Sequence, residues 1–487
     1  MSRLQDTKDQ RLEKIEKLRK LGVNPFANKF NKRQTTQQSC ELLGKKTQTA
    51  GRIMAIRGHG ALVFMDLVDE TGKIQLILHK DSLSDKENKV VSLTDIGDFV
   101  GVSGKVIESK TKEISIDVNS FTLLTKSLRP LPSQWYGLKN KEERFRKRYL
   151  DLILNDEVRQ RIKLRSQIVK SIRNFLDSRD YLEIETPTLQ PVYGGGFARP
   201  FITHHNSLDA DFYLRISDEM YLKRLIVGGF EKIYEITKVF RNEGIDYDHN
   251  PEFTMFEAMI AYKDYFYGMD IIEEIFEYIV KKVLGTTQIK YQKETLSFSR
   301  PWQRFTVVES IKKHTGIDPL DWKTLKQAKQ AVKQLGINKT KFSELEKINN
   351  IGEVIAFIFE EIVEDKLIQP TIIYDYPIEI SPLAKKCKDS RFTQRFEMFA
   401  MGSELGNNYS ELNDPVDLRE RFIEEKKREE AGFDEAHQTD YDYLTAIEYG
   451  FPPTCGIAIG IDRMVMMLTD ASSIKEIIAF PTLKPKK

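Results

Sequence analysis

Residues Lys232–Tyr262 have the sequence KIYEITKVFRNEGIDYDHNPEFTMFEAMIAY. Two β-type runs flank a segment rich in Gly, Asp and Asn, which predicts an antiparallel hairpin with a long loop. Side chains two apart share a strand face, so Arg241 and Glu243 point the same way, as do Phe253 and Glu257 on the returning strand. Taken alone, an Arg-x-Glu pair is typical of cross-strand ion pairs on an exposed hairpin, so the neighbouring segments decide its interpretation.

The chain around this hairpin predicts a large α+β domain over residues 155–487. Long helical periods alternate there with β-type hairpins, which favours a mainly antiparallel sheet flanked by helices over a doubly wound parallel sheet. Helical periodicity dominates from about residue 302 to 350, so we expect a helical insertion there.

The amino-terminal third has a different sequence pattern. Residues 1–47 predict a basic arm with a short amphipathic helix, and residues 127–154, with two prolines and a basic cluster, predict a linker. Between them, residues 48–126 contain five short β-type runs separated by Gly, Asp and Asn, which predicts a five-stranded OB-fold barrel. These runs are GRIMAIRG, ALVFMDLVD, KIQLILH, DFVGVSGKVI and EISIDVNSFTLL.

Composition limits the classes of protein. The 487 residues carry a net charge of +2, but the first 50 hold 12 Lys/Arg against 5 Asp/Glu, a net +7 that leaves −5 for the rest. A basic arm suggests contact with phosphates, although it is more often a solvated helix face. The three cysteines lie far apart, which argues against zinc and disulfides. No apolar run or signal peptide is evident, so we expect a cytoplasmic protein without a membrane span.

Three segments in order resemble the motifs of class II aminoacyl-tRNA synthetases. FRNE followed by His249–Phe253 resembles motif 2, and its loop resembles the lysine-specific branch. DSRDYLEIETPTL resembles motif 1, which in that family forms a dimer interface, so we expect a homodimer. Gly456–Arg463 is similar to motif 3, with Ala458 in place of the usual middle glycine.

The resemblance implies adenylation, an in-line attack of an amino-acid carboxylate on the α-phosphate of ATP. That step requires charge neutralisation and alignment more than acid–base groups. Arg241 would bridge carboxylate and α-phosphate, while Phe253 and Arg463 sandwich adenine. The implied catalytic residues are Arg241, Glu243 and Arg463, and the ATP-binding residues are Arg241, Glu243, His249, Asn250, Phe253, Glu404 and Arg463.

The same resemblance implies a magnesium site and a lysine site. Glu397 and Glu404 would hold Mg²⁺ against the phosphates of ATP, although two glutamates on a hairpin are more often surface charges. A buried ammonium needs anions, which Glu219 and Glu411 would supply. The complete implied lysine set is Gly195, Glu219, Arg241, Asn407, Tyr409 and Glu411.

In the predicted barrel, four residues match positions at which relatives contact the tRNA anticodon. OB-folds bind single-stranded bases by stacking and by hydrogen bonds to base edges. The partner implied is tRNA(Lys), alongside ATP and L-lysine. The four residues are Arg52, Phe64, Gln75 and Glu113.

Two departures and three alternatives stay open. Met259 replaces a frequent tyrosine in the substrate pocket, and Asp248 replaces a frequent arginine near the γ-phosphate. An aspartate or asparagine synthetase shares the architecture but needs cations in its pocket. A lysine ligase that modifies a protein lacks the anticodon barrel. A catalytically silent RNA-binding paralogue would be expected to have lost Arg241, Glu404 or Arg463.

Overall fold

The computed structural model describes residues 3–59, 62–132, 138, 140–196, 198–430 and 440–486. Residues 1–139 form one compact unit and residues 140–487 a second. Among the helices described, none is both long and apolar enough to cross a membrane.

The first unit is built on a five-stranded closed barrel of strand order β1-β2-β3-β5-β4. Alternate side chains of its strands point inward, so Met65 and Leu67 of one strand are fully buried and Leu18 of the first helix packs against the same core. The predicted OB-fold is confirmed. Its strands are β1 (Lys46–His59), β2 (Leu62–Val68), β3 (Lys73–His79), β4 (Phe99–Glu108) and β5 (Ile114–Thr125), and its helices are α1 (Arg3–Lys20), α2 (Thr36–Cys40) and α3 (Asp85–Leu93).

The second unit contains an eight-stranded sheet and two small ones. Its strands are β6 (Leu182–Glu183), β7 (Leu189–Gln190), β8 (Ile202–His205), β9 (Ala210–Leu214), β10 (Lys232–Phe240), β11 (Glu252–Ala261), β12 (Gln288–Tyr291), β13 (Glu294–Ser297), β14 (Gln303–Thr306), β15 (Thr371–Pro377), β16 (Phe392–Ala400), β17 (Ser403–Ser410) and β18 (Thr454–Gly460). The large sheet has the order β14-β15-β16-β17-β18-β11-β10-β6. Its β14–β15 and β10–β6 pairs are parallel and its other pairs antiparallel, which confirms the mainly antiparallel prediction.

Helices flank this sheet. They are α4 (Lys141–Arg146), α5 (Arg148–Leu154), α6 (Asp156–Asp177), α7 (Glu219–Val227), α8 (Tyr265–Leu284), α9 (Val307–Thr315), α10 (Leu325–Gln334), α11 (Phe342–Lys347), α12 (Ile351–Ile358), α13 (Pro415–Glu430), α14 (Tyr441–Glu448), α15 (Ile461–Leu468) and α16 (Ile474–Ile477).

Two predicted boundaries need correction. Residues 140–154, expected in the linker, form α4 and α5 and belong to the second unit. The expected insertion from residue 302 includes β14, whose Gln303–Thr306 run pairs with β15 at the edge of the main sheet. The helical periodicity of the next segment masked this four-residue strand.

The two faces of the main sheet have different roles. Phe256 of β11 and Ile457 of β18 point into the apolar core that α8 covers. Their sequence neighbours Glu257 and Gly456 point to the opposite face, where they line a cavity. The alternation of side chains along a strand thus separates a packed face from an open one.

Candidate active site

A cavity of about 770 Å³ lies on the open face of the sheet. It gathers every residue predicted for lysine, ATP and metal binding, although they come from separate parts of the sequence. The predicted residues that line it are Gly195, Glu219, Arg241, Glu243, His249, Asn250, Phe253, Glu397, Glu404, Asn407, Tyr409, Glu411 and Arg463.

Arg241 directly follows β10, where the loop of the β10–β11 hairpin begins. Its backbone N–H donates to the carbonyl oxygen of Pro251 at 2.8 Å, which fixes the residue at the end of the paired strands. Its guanidinium carbon lies 5.2 Å from the centre of the Phe253 ring. Within the described residues, the buried Nε atom has no hydrogen-bond acceptor. Burial lowers the pKa of Arg241 from its usual value, because it disfavours the charged guanidinium. An anionic ligand that accepts hydrogen bonds from the guanidinium would therefore stabilise its charged form.

Arg463, in the first turn of α15, lies in the part of the cavity where the predicted ATP-binding residues His249 and Glu404 also lie, which we call the nucleotide end. Its Nη1 atom donates to the carbonyl oxygen of Glu404 at 2.7 Å. Its Nη2 atom is 3.3 Å from His249 Nε2 and 3.7 Å from Asp248 Oδ2. The hydrogen bond to Asp248 is the main reason that the pKa of His249 is raised. Contacts with Glu404, His249 and Asp248 thus hold the Arg463 guanidinium in place.

Glu243 and Asn250, two further predicted ATP-binding residues, differ in exposure and in hydrogen bonding. Glu243 is exposed and lines the cavity. Asn250 is buried, donates to the carbonyl oxygen of Glu252 at 2.6 Å and accepts from the backbone N–H of Thr482 at 3.2 Å. These contacts assign Asn250 a part in holding the loop.

Glu397 and Glu404 stand on β16 and β17 beside the nucleotide end. Glu397 is 8% exposed, and burial raises its pKa, with further repulsion from Glu404. The Arg395 guanidinium contacts Glu397 and donates to Asn407 Oδ1 at 2.9 Å. Two carboxylates on a cavity wall form an oxygen donor set that fits a divalent cation together with phosphate oxygens.

The opposite end of the cavity is acidic. Glu219 and Glu411 both contact the ammonium of Lys223, which lies 2.5 Å from Glu411 Oε2. The Tyr409 hydroxyl donates to Glu219. Glu411 is 1% exposed, and neither of its carboxylate oxygens accepts a well-aligned hydrogen bond from the described residues. Burial raises the pKa of Glu411 to about 8.

Two further acids at this end were not predicted. Glu257 lines the cavity, accepts from the Ser217 hydroxyl at 3.0 Å, and has a pKa raised to about 7 by burial and by Glu219. The buried Asp218 carboxyl faces Glu257, and burial together with the charge of Glu257 raises the pKa of Asp218 well above its usual value. The sequence did signal Glu257, because it shares a strand face with Phe253.

Two glycines make room for the acidic end. Gly195 has φ +85°, and a Cβ atom there would lie 2.8 Å from Ser217 Oγ and 3.2 Å from Glu219 Cβ. At Gly456 a Cβ atom would lie 2.0 Å from Glu411 Oε1. Any larger residue at Gly456 therefore displaces the carboxylate.

Three of the four predicted residues in the barrel unit lie on or directly beside the neighbouring strands β2, β3 and β5. These residues are Phe64, Gln75 and Glu113. Gln75 is buried, donates to Glu113 Oε2 at 3.0 Å and accepts from the Ser115 hydroxyl at 3.1 Å. Phe64 lies on β2 next to the strand of Gln75. A half-buried ring beside a fixed amide is suited to stacking and edge recognition of a base.

The fourth predicted anticodon residue, Arg52, lies away from Phe64. Arg52 pairs with Val68, four residues and roughly 13 Å along β2 from Phe64. Its guanidinium donates to the carbonyl oxygen of Gly97 at 2.9 Å and lies 4.2 Å from the Phe99 ring centre. Arg57 is instead the residue directly opposite Phe64.

Comparison with known proteins gives a consistent result for both units. Residues 140–484 match the family described as tRNA synthetases class II (D, K and N), and residues 48–124 match the OB-fold nucleic acid binding domain. A lysine–tRNA ligase of Carboxydothermus hydrogenoformans is 48% identical over 98% of this chain and 97% of its own length. That of Moorella thermoacetica is 49% identical over the same shares, and that of Enterococcus faecalis 47% identical over 99% and 98%.

These matches confirm the resemblance inferred from the three motifs. They extend over nearly the full length of the relatives, so both the barrel and the cavity are included. The chain therefore belongs to the class II tRNA synthetase family (D, K and N), within its lysine–tRNA ligase branch.

Proposed function

We propose that the protein is a lysine–tRNA ligase that activates L-lysine with ATP, releases pyrophosphate and transfers lysine to the 3′ end of tRNA(Lys). The observation that carries the choice of amino acid is the charge of the cavity, which is acidic at one end and has Arg241 between that end and the nucleotide end. The near full-length relatives named lysine–tRNA ligase support the same activity.

The acidic end fits the two ammonium groups of lysine. The carboxyl groups in or beside it are Asp218, Glu219, Glu257 and Glu411. The ammonium of Lys223 contacts two of them, Glu219 and Glu411. Lysine brings two ammonium groups, while its carboxylate faces Arg241. Aspartate and asparagine bring one ammonium each and would leave a buried carboxylate unpaired, which is costly.

Arg241 is the residue that aligns the reaction. A planar guanidinium donates in parallel to two oxygens, so it can hold the lysine carboxylate and the α-phosphate oxygen at the distance that an in-line attack needs. Negative charge grows on the phosphate oxygens in the transition state, and a preorganised cation stabilises it there. Phe253 and Arg463 provide the aromatic face and the second cation for adenine and phosphates.

Magnesium has a suitable donor set at the nucleotide end. Glu397 and Glu404 would hold Mg²⁺, which when bound neutralises phosphate oxygens of ATP. Their carboxylates lie on adjacent strands, and Arg395 and Arg463 contact them from either side.

The barrel is the proposed anticodon site. Phe64 would stack on a base, while Gln75 and Glu113 would contact its edge. Arg57, which lies opposite Phe64 and 2.6 Å from Asp66, replaces Arg52 as the cation of this surface. Since charged tRNA is consumed in translation, the proposed location is the cytoplasm.

The proposed oligomer is a homodimer through the motif 1 region. Leu182 and Leu189, both in this segment, are 49% and 47% exposed. Large apolar side chains that remain exposed in one segment are consistent with a protein interface.

Amino-acid-dependent ATP–pyrophosphate exchange, followed by charging of tRNA(Lys), tests the proposal. Lysine should support exchange, whereas aspartate and asparagine should not. A protein that binds tRNA(Lys) but shows no exchange with any of the three would favour a catalytically silent RNA-binding module.

A further inference from the structure

Lys223 is a buried cation at the acidic end of the cavity that the proposed reaction does not use. It lies one helical turn after Glu219 on α7 and is 1% exposed. Its Nζ atom contacts Glu219, lies 2.5 Å from Glu411 Oε2, and is 5.2 Å and 6.0 Å from the ring centres of Tyr409 and Tyr443. Burying an ammonium is costly unless it is paired, so these contacts fix the side chain in one position.

On the basis of the proposed lysine activation, we propose that Lys223 is a positioning residue for the amino-acid substrate. Its ammonium bridges Glu219 and Glu411 and holds the two carboxyl groups at a fixed separation, ready to receive the ammonium groups of lysine. The substrate is then recognised by a carboxylate pair that the protein has already ordered, which lowers the cost of binding.

The surroundings explain why an internal cation is needed. The titratable groups that face Glu411 are Glu219, Lys223, Glu257, Tyr409, Tyr443 and Cys455. Lys223 is the only cation among them. Burial raises the pKa of Glu411 to about 8 even with Lys223 beside it, and Lys223 is the main group that lowers this pKa.

Loss of the Lys223 charge therefore raises the pKa of Glu411 further. The carboxyl group then stays protonated up to a higher pH, so a substrate ammonium must compete with a more tightly held proton before it can pair with the carboxylate. Lysine binding should weaken as pH falls and recover as pH rises, whereas ATP binding, at the other end of the cavity, should not change.

The test is lysine-dependent ATP–pyrophosphate exchange of the full chain with Lys223→Met, Lys223→Gln and Lys223→Arg. For the two neutral variants we expect KM for lysine at pH 7 to rise about tenfold or more. The acid limb of kcat/KM for lysine should move upward by about one pH unit, and KM for ATP should stay within about twofold. Lys223→Arg keeps the charge and should retain the position of the wild-type acid limb.

A matched control is Lys126→Met in the barrel unit. Lys126 is also a buried lysine between two carboxylates, those of Asp95 and Asp98, but it lies outside the cavity. It should reduce thermal stability without shifting KM for lysine or the acid limb. Glutamine at position 223 keeps a hydrogen-bond donor, so it serves if the methionine variant does not fold.

Four results distinguish the alternatives. Neutral variants with the KM and pH profile of the wild type would overturn the positioning role. Equal losses for lysine and ATP, or the same acid limb in the neutral and arginine variants, would overturn it as well, because they indicate a purely structural lysine. A wild-type protein without lysine-dependent exchange would instead overturn the proposed function, from which the role of Lys223 follows.

Discussion

At the scale of single residues, Arg241 contributes through both its charge and its geometry. Arg241→Ala should lower kcat for adenylation by a factor on the order of 10² to 10³, the usual cost of losing a preorganised transition-state donor. Arg241→Lys keeps the charge but loses the planar fork, so it should recover only a small part of the activity. Initial rates of ATP–pyrophosphate exchange measure both variants. Full activity of the alanine variant would remove Arg241 from the mechanism.

Gly456 provides a second residue-scale prediction, because it defines the space for Glu411. A methyl group at this position would lie 2.0 Å from Glu411 Oε1, whereas one at Gly460 on the same strand would meet nothing closer than 3.7 Å. Gly456→Ala should raise KM for lysine about tenfold or more, since a displaced carboxylate loses a charged contact. Gly460→Ala should change it less than about threefold. Similar KM values for the two variants would show that Glu411 does not touch the substrate.

At the scale of elements, strand pairing explains which predicted residues come together. Phe253, Glu397, Asn407 and Tyr409 lie on paired strands, whereas Glu219 and Arg463 lie on helices α7 and α15. Arg52 was misplaced because the resemblance did not include the pairing of β1 with β2, which puts Arg57 opposite Phe64. The strand face of Glu257 was evident from its spacing to Phe253, but its place beside Glu219 was not. Lys223 and Asp218 require a three-dimensional structure, since only the fold brings their charges to Glu411 and Glu257.

The barrel hairpin gives an element-scale prediction. Phe64→Ala should raise KM for tRNA(Lys) in the charging reaction by about tenfold or more, as expected for loss of one stacked base. Arg57→Ala should weaken tRNA binding more than Arg52→Ala, because only Arg57 lies opposite Phe64. ATP–pyrophosphate exchange without tRNA should be unchanged in all three. A stronger effect of Arg52→Ala would contradict the assignment of this surface.

At the scale of the whole molecule, the exposed apolar residues of the motif 1 region predict self-association. Leu182→Lys combined with Leu189→Lys should convert a dimer to a monomer, because two charges would be desolvated in the interface. Light scattering after size-exclusion chromatography measures the mass directly. Tyr449→Lys is the matched control, since Tyr449 is 85% exposed and directly follows α14, outside that region. A monomeric wild type, or a double variant that still dimerises, would rule out this interface.

The whole account depends on an acidic cavity that selects an amino acid with two ammonium groups and activates it with ATP. The most direct measurement is ATP–pyrophosphate exchange by the purified full chain with Mg²⁺ and no tRNA, using lysine, aspartate and asparagine in parallel. We predict exchange with lysine alone. Exchange with aspartate or asparagine instead would leave the fold intact and contradict the roles of Glu219, Glu257 and Glu411.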